Sequence, residues 1–209
     1  MEIRRYVSDL LASNMYVIVE DQHAVVIDPC RDTEPAQDLT VDYMLLTHEH
    51  FDHISGVNMW KALTGAPVLC SSACAESIQS CKRNLANHFD DFCQLQTWIR
   101  LDELPPADPQ YTCTADLTFE DRTELLWRGH TFELFEAPGH SLGSVGIMLD
   151  GTDFFSGDSL MENSEIELRI PGGSRKKWRE IGCARIEAIP EGTRIWPGHF
   201  ESFILHRAV

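Results

Sequence analysis

The first clear signal in the chain is a pair of short apolar runs. MYVIVE (15–20) and HAVVID (23–28) are rich in β-branched residues and are split by the polar pair Asp21-Gln22. Two such runs around a polar pair predict a hairpin. A third strand, YMLL (43–46), reads as buried. The period then changes: Ile54, Val57, Trp60 and Leu63 recur at helical spacing across 54–63, and Gly65 supplies a stop. After the short strand PVLC (67–70), the spacing over 71–85 predicts a helix capped by Ser71 or Ser72, with Cys74, Ile78 and Cys81 on one face.

Residues 84–112 break this rhythm. Apolar positions 89, 92, 95, 98 and 99 suit a helix, and LPPADP (104–109) then interrupts the chain, so the block reads as an insertion or lid. Strands resume at 117–120, 124–127, 131–137, 144–149 and 153–157, with turn signals at Arg128-Gly129-His130 and Asp150-Gly151. A last helix over 174–188 precedes a strand at 194–196. Strands followed by helix, twice over, predict an α+β architecture with two sheets packed on each other and helices outside.

At 209 residues the chain suits one domain, 1–209, large enough to bury a real core. A net charge of −16 repels polyanions, which argues against nucleic acid and anionic membrane as partners. A bound cation pair would reverse that sign locally and keep a small anionic substrate in play. No stretch approaches 18 uninterrupted apolar residues, so no transmembrane helix is expected. The seven cysteines (30, 70, 74, 81, 93, 113 and 183) are odd in number and contain no C-x-x-C. They read as reduced, mostly buried thiols, which places the chain in a reducing, cytoplasmic compartment.

The chemistry concentrates in LLTHEHFDH (45–53), where His48, His50, Asp52 and His53 follow an apolar run. Packing alone does not require them. Further ligand types recur just past later strands: His140 after Pro138-Gly139, Asp158 after Gly157, and His199 after Pro197-Gly198. Asp28 ends another strand. Loops at strand ends can converge on one edge of a sandwich, and the small residues let the backbone turn sharply there. Imidazole and carboxylate suit zinc first, and also iron or manganese. Five histidines and two aspartates are too many for one tetrahedral ion and about right for two ions ~3.5–4 Å apart. His23, His88, His130 and His206 lack such context and read as turn or surface residues.

Taken together, Asp28, THEHFDH (47–53), APGHSLGS (137–144), FFSGDSL (154–160) and WPGHF (196–200) resemble the metallo-β-lactamase superfamily, in the family order and over nearly the whole chain. The resemblance implies a four-layered αββα sandwich. It implies that His48, His50 and His140 hold one divalent ion, that Asp52, His53 and His199 hold the other, that Asp158 bridges them, and that Asp28 hydrogen-bonds within the histidine loop. Asp52 would orient a metal-bridging hydroxide and pass its proton on. The β-lactamases of classes B1 and B2 usually carry cysteine where Asp158 stands. Flavodiiron-type oxidases carry glutamate where His50 stands.

The motifs most resemble hydroxyacylglutathione hydrolases, the glyoxalase II group, whose C-terminal helical domain has no counterpart in the ten residues after His199. Hydrolysis of a small ester, thioester or phosphoester is therefore expected. The rival reading is a persulfide dioxygenase of the same fold using one iron. Phe51 and Arg169 are candidates for substrate contact, the substrate-binding residues otherwise being unassigned. A homodimer face over 84–112 is the alternative to a lid.

Overall fold

The computed structural model describes residues 1–94, 104 and 106–207. Two six-stranded mixed sheets lie face to face. The first carries β1 (Glu2–Val7), β2 (Asn14–Glu20), β3 (His23–Ile27), β4 (Thr40–Leu45), β5 (Val68–Ser71) and β6 (Leu117–Phe119), in that spatial order. The second carries β7 (Arg122–Trp127), β8 (His130–Glu136), β9 (Val145–Leu149), β10 (Asp153–Gly157), β11 (Arg194–Pro197) and β12 (Phe203–Ile204), again neighbour to neighbour. Strands β3 to β6 run parallel, as do β10 and β11; the other pairs are antiparallel.

The period-2 geometry of strands sorts the apolar runs into layers. On β2 and β3, Tyr16, Ile18, Val25 and Ile27 point inward and meet Phe132, Leu134, Ile147 and Phe155 of the second sheet. Their neighbours Met15, Val17, Ala24 and Val26 point outward, under Ile54, Trp60, Cys74 and Ile78 of the first helical layer. The second sheet's outer face, Phe135, Met148, Phe154 and Ile195, is covered by Trp178, Ile186 and Ile189. Because both faces of each sheet are covered, the central strands are apolar throughout rather than alternating. The order helix, sheet, sheet, helix is the expected sandwich.

The helices are short. α1 (Phe51–Ile54) and α2 (Val57–Thr64) form the predicted segment around Trp60, and α2 stops at Gly65 with φ +69°. α3 (Ser72–Ser77) is capped by Ser71, whose Oγ accepts from Cys74 N at 3.1 Å. The expected helix over 71–85 therefore ends early, and Cys81 does not share its buried face. The cause is Asn84, whose amide donates to Ile78 O and Tyr111 O while Cys113 N donates to Ile78 O. Two of those bonds take the Ile78 carbonyl that a longer helix would use internally. α4 (Phe89–Gln94) begins the helix expected over 89–99; positions 95, 98 and 99 lie outside the described residues. The last helix runs from α5 (Arg175–Lys177) through one π turn (Trp178–Gly182) to α6 (Cys183–Glu187).

Two strands carry too little signal to predict. β1, EIRRYV, is a charged edge strand, and β12 has two residues. All seven cysteines are free thiols, five of them buried.

Candidate metal centre

Four strand ends deliver the ligand-type side chains to one rim. β4 leads through Thr47 into His48, Glu49 and His50, and α1 then presents Asp52 and His53. The loop after β8 carries His140, the end of β10 carries Asp158, and the end of β11 carries His199. Glycine is required at two of these turns. Gly157 sits at φ +49°, and a Cβ there would lie 2.6 Å from Thr47 Oγ1. A Cβ on Gly198 would collide with Asp158 Oδ1 and lie 2.8 Å from His53 Cε1.

All seven predicted residues come together. The ligand atoms of His48, His50 and His140 lie within 4.8 Å of one another, and so do those of Asp52, His53 and His199. Asp158 lies between the triads. Its Oδ2 is 3.4 Å from His140 Nε2 and 3.5 Å from His199 Nε2, and its Oδ1 is 3.5 Å from His53 Nε2.

The outer nitrogens explain the inward ones. His53 Nδ1 donates to Asp28 Oδ2 at 3.1 Å. His48 Nδ1 donates to Thr47 Oγ1 at 3.0 Å, and that hydroxyl donates to Asp28 Oδ2 at 2.5 Å. His140 Nδ1 and His199 Nδ1 donate to the carbonyls of Glu167 and Leu11, each at 3.1 Å. Each of these four rings is thus held in the tautomer that turns an Nε2 lone pair inward, the usual support for a ligating imidazole. His50 is reversed: its Nδ1 faces the cluster, 3.0 Å from His140 Nε2.

The charge distribution asks for a cation. His48 Nε2 and Asp158 Oδ1 are buried with no hydrogen-bond partner. Buried acceptors left this way are costly unless something positive sits between them. Ions ligated at about 2.0–2.1 Å by imidazole and carboxylate fit donor atoms spaced like these. Burial, reinforced by His53 and His50, pushes His48 well below the ordinary imidazole value. Burial and then His140 push His50 down to about 3. Burial lowers His140 as well. Burial works in the same direction on His53, but Asp52 and Asp158 overturn it and raise His53 to about 9. His199 is likewise carried well above its ordinary value by Asp158 and Asp52. Burial alone would raise Asp158, yet His199, His53 and His140 hold it well below the carboxylate range.

Two supporting groups were not legible as such in the sequence. Glu49, between the two histidines, accepts from Ser141 Oγ at 2.7 Å and so ties the histidine loop to the His140 loop. Burial raises its carboxyl. The start of β2 and the residue before it brace the rim: Ser13 Oγ donates to Asp52 O on α1 at 2.9 Å, while Asn14 Nδ2 and Tyr16 OH donate to Pro197 O, beside His199, at 2.9 Å and 2.6 Å. The H-E-H spacing and the polar interruption Ser13-Asn14 before an apolar strand are the only traces of these roles in the sequence. Of the two substrate-contact candidates, Phe51 is buried against Phe89 and Tyr111, beside the cluster. Arg169 is mostly exposed and paired with Glu167. His23 pairs with Asp42 and His130 with Asp150, away from the cluster.

Two covered sheets carry buried His/Asp triads at one rim, a donor set suited to divalent metal ions. The sequence profile described as "Metallo-beta-lactamase superfamily" matches residues 8–199, and the chain belongs to that superfamily. It is 27% identical over 191 residues to a hydroxyacylglutathione hydrolase of Aeromonas hydrophila, a match covering 88% of this chain and 60% of that one. The chain spans about six tenths of the length of the curated hydroxyacylglutathione hydrolases it matches. Among solved structures it is similar to the BLEG-1 B3 metallo-beta-lactamase (TM-score 0.79, 25% identity, 97% of this chain and 94% of that one). It is also similar to TTHA1623 in a di-iron-bound form (TM-score 0.71, 25% identity, 96% and 94%). No helix among the described residues is long and apolar enough to cross a membrane.

Proposed function

We propose that the chain is a dinuclear hydrolase of small ester or thioester substrates, with phosphoesters as the remaining class, and that zinc is its working metal. The observation that carries this reading is the position of Asp158 between the triads: Oδ2 lies near both His140 and His199, and Oδ1 lies near His53 with no hydrogen-bond partner. A carboxylate so placed suits two ions and is superfluous for one. His48, His50 and His140 would hold the first ion, and Asp52, His53 and His199 the second, with Asp158 shared. Bound there, two divalent ions supply a hydroxide nucleophile near neutral pH, the pKa of their water falling towards ~7, and polarise the substrate's carbonyl or phosphoryl oxygen.

The chain's own groups do the rest. Asp52 Oδ2 lies 3.4 Å from both His53 Nε2 and His199 Nε2, and with the metals bound it would orient the nucleophile and accept its proton. Asp28 keeps His53 and, through Thr47, His48 in the ligating tautomer. The hydrolase names of the curated relatives support ester or thioester cleavage. Their extra length means that this support does not extend to glutathione as the substrate. Free thiols in every cysteine position suit a reducing compartment such as the cytoplasm.

Elemental analysis followed by a substrate panel tests the reading. Two zinc ions per chain, with turnover of generic esters or thioesters, is the expected result. One iron per chain, with oxygen consumed on a persulfide, would replace it with the mononuclear dioxygenase reading.

A further inference from the structure

A cavity of about 370 Å³ opens directly from the cluster, with His140, Asp158 and His199 at its inner end. Its size is that of a small-molecule site. Its walls are mainly Leu11, Ala12, Met161, Ile170 and Phe200, with Ser164 and Glu167 as the polar members. A smaller space of about 70 Å³ shares Leu11 and Ile170 and is closed by Phe51, Leu85 and Phe89.

Three wall residues are held in an unfavourable backbone conformation: Leu11 and Ala12 at φ +53° and Phe200 at φ +67°. Non-glycine residues keep such angles only where their surroundings impose them, and they cluster at functional sites. Here the imposing contacts are visible. Leu11 O accepts from His199 Nδ1 at 3.1 Å. Phe200 O accepts from Arg5 Nη1 and Asn14 Nδ2, each at 2.8 Å. With its carbonyl anchored, Phe200 is left 68% exposed beside the cavity.

The charge of the wall is equally specific. Among the described residues lining the cavity there is no lysine or arginine, and the one ionisable group besides the cluster is Glu167. Arg169 occupies that carboxylate, with Nε and Nη2 each at 3.1 Å, and is itself largely exposed. The adjoining surface depression carries Arg169 and Arg175 but also Glu165 and Glu167. Among the described residues of this wall, an anionic handle on the substrate would meet no free cation, in a chain of net charge −16.

We infer that the substrate carries a neutral, apolar acyl chain seated among Leu11, Met161, Ile170 and Phe200, and no anionic recognition group. This rests on the hydrolase reading above and names its substrate class. For a thioester the step is hydrolysis: the oxygen of water bonds to the acyl carbon, the carbon–sulfur bond breaks, and the products are a carboxylic acid and a thiol.

The zinc-reconstituted protein is assayed with N-acetylcysteamine thioesters from acetyl to octanoyl, and with the matching S-acylglutathiones. kcat/KM in the neutral series is expected to rise about threefold to fourfold per added methylene, the factor for burying one such group. The anionic thioester of the same acyl chain is expected to be the poorer substrate, and Phe200→Ala to flatten the chain-length slope. Binding of two inert thioethers, S-octyl-N-acetylcysteamine and S-octylglutathione, is measured in parallel, and the neutral one is expected to bind more tightly. A flat slope in the native chain, or preference for the glutathione compound in either assay, overturns the inference. If neither ester series is hydrolysed, the hydrolase reading fails, and the thioether pair decides the cavity's preference by itself.

Discussion

The two triads are built from similar residues and differ sharply in charge. His48, His50 and His140 form an all-imidazole set, and burial together with mutual repulsion keeps their rings neutral. Asp52, His53 and His199 include a carboxylate and face Asp158, which draws protons onto the two imidazoles. One triad is therefore ready for a cation at neutral pH, whereas the other must give up protons to take one. The difference follows the carboxylates: the second triad has Asp52 where the first has a third imidazole, and Asp158 and Asp28 add to it. If both fill, the first ion should bind with little proton release and the second with more.

The largest expected effect comes from removing what the triads share. Asp158→Ala should abolish turnover and leave at most one ion per chain, with the circular dichroism of the fold unchanged. His50→Ala should also abolish turnover and lower metal content. Full activity with full metal content in either variant would remove that residue from the site.

Gly198→Ala tests the second triad's geometry alone. A Cβ there collides with Asp158 Oδ1 and crowds His53 Cε1, so the ligands must move. Displacements of this kind cost on the order of 10²-fold in rate. The first ion should remain by elemental analysis; loss of both ions equally would show that the triads are not separable.

Asp28→Asn is the next smaller change. His53 Nδ1 and the Thr47 hydroxyl both bond Oδ2 while Thr47 N donates to Oδ1 at 2.8 Å, so an amide must set its NH2 against a donor on one side or the other. Loss of such outer-shell support lowers metal affinity about 10–100-fold, and the second ion should show it in a chelator competition.

The smallest effect is on pH dependence in the metal-free protein. His53, raised to about 9, gives stability that is fully present below the free imidazole value of about 6.5 and is lost as pH rises through about 9. His50, lowered to about 3, acts oppositely: its neutral form is favoured in the fold, so stability is lost as pH falls from about 6.5 towards 3. Melting temperature without metal should therefore decline on both sides of about pH 6.5. With zinc, whose binding strengthens as protons leave, the alkaline decline should give way to a rise. An alkaline decline that persists in metal-free His53→Ala would assign it to another group.

Much of this centre is legible in the amino-acid sequence. The seven ligand-type residues stand out because metal chemistry restricts residue type and because tight turns demand Gly or Pro beside them, as at Pro138-Gly139 and Pro197-Gly198. The supporting residues are less legible because many residue types can do their work. Glu49 reads as one more surface acid until Ser141 is seen against it. Ser13 and Asn14 read as a loop until Asp52 and the His199 turn are seen resting on them. The helix after Ser71 looks longer than it is because local periodicity cannot register Asn84 and Cys113 competing for the Ile78 carbonyl.

Local pattern by itself determined the covered central strands, the turns and the set of donor atoms, since each depends on neighbours within a few residues. The pairing of those donors into one neutral and one protonated triad was decided only in the folded chain. So was the cavity wall drawn from residues 11, 12, 161, 170 and 200. Electrostatic coupling and burial depend on distances between segments far apart in sequence, and those distances exist only once the two sheets have closed on each other.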